Sequence, residues 1–255
     1  MENRLFRFCR YFVRKYLQVY TVVETGCFVP PEAAPAAIAS MPTSADVNFP
    51  GNVNSSEEVR PKVYIVHHQN LRGPITAMAW FDRPLRPWVL SVFCERQECF
   101  DQFYNYTFTQ RFGFKKPFAA ALAFPLSFGV PALMRSIRVI PVYRQPRETI
   151  KTFRQSLDAL AAGEDLLISP DVDYTSTSIE IGEVYDGFLS LDKHYYRNSK
   201  KHIGFVPLHV DTGSRRILVG TEVVLRDEIP FIEAKKEAAQ KLRADINSME
   251  QSCPH

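Results

Sequence analysis

Val63-Tyr64-Ile65-Val66 is the segment that most restricts the folds open to this chain. Four successive aliphatic or aromatic residues with no polar alternation read as a strand covered on both faces, the pattern of a parallel sheet between helical layers. Comparable runs recur, with candidate strands at Val63–His67, Trp88–Phe93, Val139–Tyr143, Asp165–Ser169, Ile203–Val210 and Ile217–Leu225. Segments with helical spacing separate them: Pro74–Phe81, Gln97–Phe112, Phe118–Arg135, Arg147–Ala162, Val184–Tyr196 and Ile232–Met249. This alternation predicts an α/β fold, a mixed and largely parallel sheet flanked by helices. With 255 residues, 45% hydrophobic and 23% charged, the chain has ample material for one such core.

Three regions follow from composition: an amphipathic helix in residues 1–28, a Pro-rich connector at 29–62 and an α/β domain at 63–255. Residues 1–28 hold five of the 31 cations (Arg4, Arg7, Arg10, Arg14, Lys15) and two of the 28 anions, so the whole +3 excess resides there. That placement argues against nucleic-acid binding by the body and for a localised electrostatic anchor. Read as a helix, residues 4–20 gather the cations in an arc of about 140° opposite Leu5, Phe8, Phe12, Val13 and Tyr16. Such a helix either lies on an anionic membrane surface or docks its apolar face on the body. The N-terminus lacks the continuous apolar core of a signal peptide. No uninterrupted apolar run reaches the length of a membrane span. Five cysteines without metal spacing suit free thiols in a reducing compartment.

His67 and His68 follow the apolar run where a parallel strand ends, the edge at which open α/β sheets collect ligands. A histidine there serves either as a general base near neutral pH or as a hydrogen-bonded structural group.

Four segments, taken in order, resemble the glycerolipid acyltransferases, the lysophosphatidate and glycerol-3-phosphate acyltransferase superfamily. That family carries N-H-x-x-x-x-D, G-x-x-F-I-x-R, F-P-E-G-T-R-S and V-P-x-x. Here HHQNLRG, RVIPVYR, SPDVDYT and VPLHV occupy the corresponding places, across roughly residues 62–225. The resemblance puts His68 on the catalytic histidine, which takes the acceptor hydroxyl's proton for attack on an acyl thioester, and Arg144 on the phosphate-contacting arginine. It implies acyl-CoA or an acyl carrier protein thioester as co-substrate, no other cofactor and no metal. It also implies a glycerol-3-phosphate or lysophospholipid acceptor, and a peripheral location on the inner, cytoplasmic face of the cell membrane.

The departures fall on chemically important positions. Gly73 stands where the family has the aspartate that orients the histidine. Losing such a carboxylate from a serine-protease triad costs on the order of 10⁴ in rate. Asp171, aligned with the family's glutamate, and Asp173 are candidate replacements; otherwise they cap a turn and face solvent. Tyr174 replaces the third-motif arginine and supplies one hydrogen bond without charge. Arg72, Arg135 and Arg138 are candidate phosphate partners beside Arg144, or else pair with acids at helix ends. Gly187 corresponds to a glycine at which the family packs a helix close to its site. The apolar stretch 112–134 contains Pro117, Pro125 and Pro131 and so is not expected to form one straight spanning helix. It suits an acyl-chain channel or an ordinary core helix. His194, His202, His209 and His255 form no recognisable ligand set. The alternative to an acyltransferase is a catalytically degenerate lipid-binding or scaffold protein of the same fold; a third class is an α/β protein that uses Tyr174-Thr175-Ser176 for another ligand.

Overall fold

The computed structural model of the chain describes residues 4–16, 20–24, 60–81, 83–173, 178 and 180–251. Seven strands, β1 (Thr21–Glu24), β2 (Lys62–Val66), β3 (Leu85–Leu90), β4 (Ile140–Val142), β5 (Asp165–Ile168), β6 (Gly204–Asp211) and β7 (Arg216–Val219), form one sheet in the order β1-β7-β6-β2-β5-β3-β4. Every neighbouring pair is parallel except β6 with β7. The α-helices are α1 (Arg4–Tyr16), α2 (Arg72–Trp80), α3 (Arg96–Asp101), α4 (Lys116–Ile137), α5 (Pro146–Ala161), α6 (Ser190–Ser199) and α7 (Phe231–Gln251). The fold is therefore α/β, a mostly parallel mixed sheet flanked by helices.

β2 occupies the centre because its side chains have no wet face: Val63, Tyr64, Ile65 and Val66 are all buried. Period-two alternation sends them to two cores. Val63 and Ile65 join Phe205, Leu160, Leu189, Leu191 and Leu242 under α5, α6 and α7. Tyr64 and Val66 join Ala77, Trp80, Phe81 and Val206 under α2, with Val13 of α1 and Val22 of β1 packed against them. Burying one such side chain contributes about 1.5–3 kcal/mol, so β2 anchors both layers.

The strand expected at Trp88–Phe93 lies instead at Leu85–Leu90, and the helix expected over Gln97–Phe112 is α3 followed by a π-helical run at Gln102–Arg111. Three further differences bear on the surface and the site. The N-terminal helix is described over Arg4–Tyr16, Tyr20 is not helical, and Thr21–Glu24 pairs in parallel with β7 at the sheet edge. Tyr20 packs tilted against Trp80, ring centroids 5.4 Å apart, tying this segment to the body. The helix expected at Val184–Tyr196 starts at Ser190, because residues 183–185 bond back to 170–172 through Val172 N–H to Glu183 O and Tyr185 N–H to Pro170 O.

The third is α4, which runs 22 residues through Pro125 and Pro131. Pro117 sits at its first turn, where a missing N–H costs nothing. By length and composition alone, α4 is long and apolar enough to cross a membrane, contrary to the expectation of no candidate span.

Most of the connector expected at 29–62 and Tyr174 lie outside the described residues.

Candidate functional site

The carboxyl ends of β2, β5 and β6 lie side by side, because β2 is hydrogen-bonded to both neighbours in parallel register. Val66 pairs with Leu208, so the next residues, His67 and His209, leave adjacent strands toward the same face. β5 delivers Ser169, Pro170 and Asp171 to the same edge.

Asp171 joins the two strand ends. Its Oδ1 contacts Nδ1 of His67, and its Oδ2 accepts the backbone N–H of His68 at 2.9 Å. Both side chains are almost completely buried, at 2% exposure for His67 and 3% for Asp171. Nε2 of His67 lies 2.9 Å from the carbonyl oxygen of Ser178. Both ring nitrogens thus face oxygen atoms, Nδ1 the Asp171 carboxylate and Nε2 the Ser178 carbonyl. Asp171 is the residue expected to supply a carboxylate to His68, but its Oδ1 meets the ring of His67 and its Oδ2 the backbone N–H of His68.

His68 has a different role. Its Nδ1 accepts the Leu71 backbone N–H at 3.2 Å, so a neutral ring carries its proton on Nε2 and offers a donor there. The turn that produces this contact is unusual. Gln69, Asn70 and Leu71 have φ of 44°, 49° and 77°, three successive left-handed residues, none of them glycine. Each costs about 1–2 kcal/mol in an L-residue, and strain of this kind concentrates at functional sites.

Gly73 follows directly, and a Cβ there would collide with the carbonyl oxygen of His67. The glycine is a packing requirement of this turn. An aspartate at 73 does not fit the backbone, so the orienting carboxylate comes from β5 instead.

Burial lowers the pKa of His209 to about 4, with the nearby His67 acting in the same direction and Asp211 opposing it. His209 is therefore neutral at pH 7, and its Nδ1 has no hydrogen-bond partner among the described residues. Gln69 Oε1 and Ser169 Oγ are likewise buried and unpaired. Native interiors leave few such atoms. All three belong to the carboxyl edge of β2, β5 and β6.

The other expected residues are spread more widely. Asp173 is exposed, whereas Asp171 is buried, so the two do not act as one cluster. Gly187 follows the segment that pairs with 170–172, and a Cβ there would strike the ring of Tyr185. Arg72 is exposed at the first turn of α2, beside the strained turn. Arg144 is exposed after β4, on the same sheet edge but three strands from β2, roughly 14 Å at the usual strand spacing. Arg138 precedes β4 at the opposite edge, where it pairs with Glu164 and its carbonyl accepts Arg86 Nε–H at 2.8 Å. That ion pair assigns Arg138 to the amino ends of β4 and β5, away from the histidines. A cleft of about 300 Å³, lined in part by Cys94, Glu95, Arg135 and Arg138, opens beside the end of α4 and includes neither histidine nor Asp171. Among the described residues no three His, Cys, Asp or Glu side chains gather to hold a metal.

The sequence marks His67 and His68 together at the strand end, the resemblance puts the catalytic role on His68, and neither Gln69 nor His209 is a candidate there. The parity of β2 carried a signal for His67, since it continues the Val63 and Ile65 face into the buried layer while His68 leaves the strand.

Compared with protein-family models and with curated proteins, the chain gives no match to either.

Proposed function

We propose that the protein transfers an acyl chain from an acyl thioester, acyl-CoA or acyl carrier protein, to a hydroxyl of a glycerol-3-phosphate or lysophospholipid acceptor. The observation that carries this reading is the Asp171–His67 pair, which joins the first and third motif segments at the carboxyl ends of adjacent parallel strands. His67 would serve as the base, with Asp171 holding Nδ1–H so that Nε2 is the working nitrogen. In the described arrangement the Ser178 carbonyl faces Nε2, so the acceptor hydroxyl takes the place of that carbonyl. The hydroxyl proton passes to Nε2 as its oxygen attacks the thioester carbon. The C–S bond then breaks, and the departing thiolate takes the proton from Nε2. His68, with Nε2–H available as a donor, assists the oxyanion or the acceptor head group. Arg72 and Arg144 are the cations on this edge for a phosphate, and Tyr174 retains its proposed hydroxyl contact.

A second reading has its own support. The burial of His67, with both nitrogens engaged, is also what a structural histidine looks like, and it would leave a lipid-binding protein without catalysis.

The deciding experiment presents labelled acyl-CoA and acyl carrier protein thioesters with phosphorylated and non-phosphorylated lysolipid acceptors. The wild type is compared with His67→Ala, His68→Ala and Asp171→Asn. Transfer that falls at least 10³-fold in His67→Ala and Asp171→Asn, and about 10-fold in His68→Ala, supports the assignment. Transfer undiminished in His67→Ala, or absent from the wild type with every acceptor, overturns it.

A further inference from the structure

α4 is built inside out for a helix in water. Ala119, Ala123, Ser127 and Pro131, at four-residue spacing, are four of its five buried positions (Ser136 is the fifth), while Phe118, Phe124, Leu126 and Phe128 are exposed. A surface helix of a soluble domain does the reverse, turning its largest apolar side chains to the core. Phe124 and Phe128 are each 45% or more exposed, although the α4 backbone is packed against α3 and the following π-helical run at Gln102–Arg111.

The neighbouring surface continues the pattern. α1 packs beside α4 and exposes Phe8 and Tyr11, each more than 60% accessible. α1 is also held inward: Arg10 donates to Ala79 O and Phe81 O, and Arg14 to Ala79 O, the carbonyls at the end of α2. Two of the arginines expected to face lipid therefore hold α1 on the body and fix its aromatic stripe outward.

Charge supplies the identity of the occupant. No aspartate or glutamate occurs between Asp101 and Glu148, and none lies within α1. Exposed cations flank the apolar patch, with Arg7 and Lys15 on α1, Arg111 and Lys115 before α4 and Lys116 at its first residue. α3, packed against α4, carries the exposed acids Glu98 and Asp101, with Glu95 at its N-cap, but also lays the Arg96 guanidinium over the Phe128 ring at 3.6 Å, so a cation sits at the patch itself. An aromatic patch bordered by cations, on helices that themselves hold no acid, matches an anionic bilayer surface.

We propose that α4 lies in the plane of an anionic lipid bilayer, its Phe118–Phe128 face sunk below the head groups and the α1 stripe beside it, with the cations at phosphate level. Orientation in the plane follows from the packed side of α4, which a transverse helix would have to strip from α3. The inference deepens the acyl-transfer reading by naming the surface that supplies the lipid acceptor, but its evidence is independent of the histidine site.

The test is flotation of the full chain with vesicles of phosphatidylcholine, alone or with about one-third phosphatidylglycerol, without any acyl substrate. Phe124→Ser/Leu126→Ser and Lys115→Glu/Lys116→Glu are compared after circular dichroism has shown each to be folded. The expected result is binding to the anionic vesicles that drops at least 10-fold in each double variant and in 1 M salt for the wild type, with release by an alkaline carbonate wash. Equal binding by the variants, no binding by the wild type, or resistance to carbonate overturns the proposal. So does a wild-type dimer that Phe124→Ser/Leu126→Ser dissociates, because a second copy would then be the occupant. Binding is read without catalysis, so an inactive protein that floats removes only the acyl-transfer reading. Transfer to a detergent-dispersed acceptor by a protein that does not float removes only this one.

Discussion

At the carboxyl end of β2 and just before the amino end of β6 the chain builds the same pair, a histidine against an aspartate, with different consequences. Before β6, His202 places Nδ1 2.9 Å from Asp192 and Nε2 3.0 Å from Asp227, while Asp192 also accepts the Ile203 N–H at 2.7 Å. Every group there is matched, Tyr196 stacks on the ring, and the site clamps α6 to the start of β6. After β2, the pair of His67 and Asp171 sits beside three left-handed residues and three buried polar atoms that find no partner among the described residues. The same chemistry is a finished clamp at one edge and an unfinished, strained constellation at the other. Parallel strands explain the asymmetry, because their carboxyl ends converge on loops that have room for a ligand.

The comparison can be broken from either side. The largest effect is expected for Asp171→Ala, which strands a buried histidine and should cost about 3–5 kcal/mol in denaturant unfolding. A loss below 1 kcal/mol would mean that the pair is not held as described.

Next is the pH dependence of stability set by His209. Its folded pKa of about 4 lies below the unfolded value near 6.5, so the unfolded chain binds the extra proton between those values. Stability is then complete above about pH 6.5, and about 3 kcal/mol is lost as pH falls toward 4. His209→Gln should flatten that limb of the urea-midpoint profile.

Gly73→Ala should cost about 2–3 kcal/mol through the collision with the His67 carbonyl. Gly73→Asp, although it restores the resembling family's spacing, should be no more stable and no more active. A gain in transfer by that variant would show that the turn can rebuild around a second carboxylate.

The smallest effects belong to the clamp before β6. Burial alone would lower the pKa of His202, but hydrogen bonds to Asp192 and Asp227 outweigh it and raise it. Its contribution is therefore full below about pH 6.5 and fades as pH rises through the raised folded value, opposite in sign to His209. Asp192→Ala should cost about 1–3 kcal/mol and remove that alkaline slope. Asp227→Asn, at an exposed partner, should cost less than about 1 kcal/mol.

Much of the architecture was legible in the residues themselves. β2, β5 and β6 announce themselves as apolar runs, and α5 and α7 begin within a residue of their expected starts at 147 and 232. β1 was not legible, since Thr21–Glu24 is four residues long and becomes a strand only by pairing with β7, nearly 200 residues away. The two prolines inside α4 argued locally for a break, and the packing of its small-residue face against α3 and the π-helical run preserves the helix instead.

The candidate site divides in the same way. By itself, the sequence determined that histidines end a buried strand and that Asp171 is the carboxylate to watch, because strand periodicity and residue chemistry are local properties. Only the tertiary structure decided which histidine receives that carboxylate, that position 73 has no space for another, and that His209 and Gln69 belong to the same edge. Those outcomes depend on strand register and on a turn's backbone angles, which arise when segments a hundred residues apart pack together and have no counterpart in any single stretch of chain.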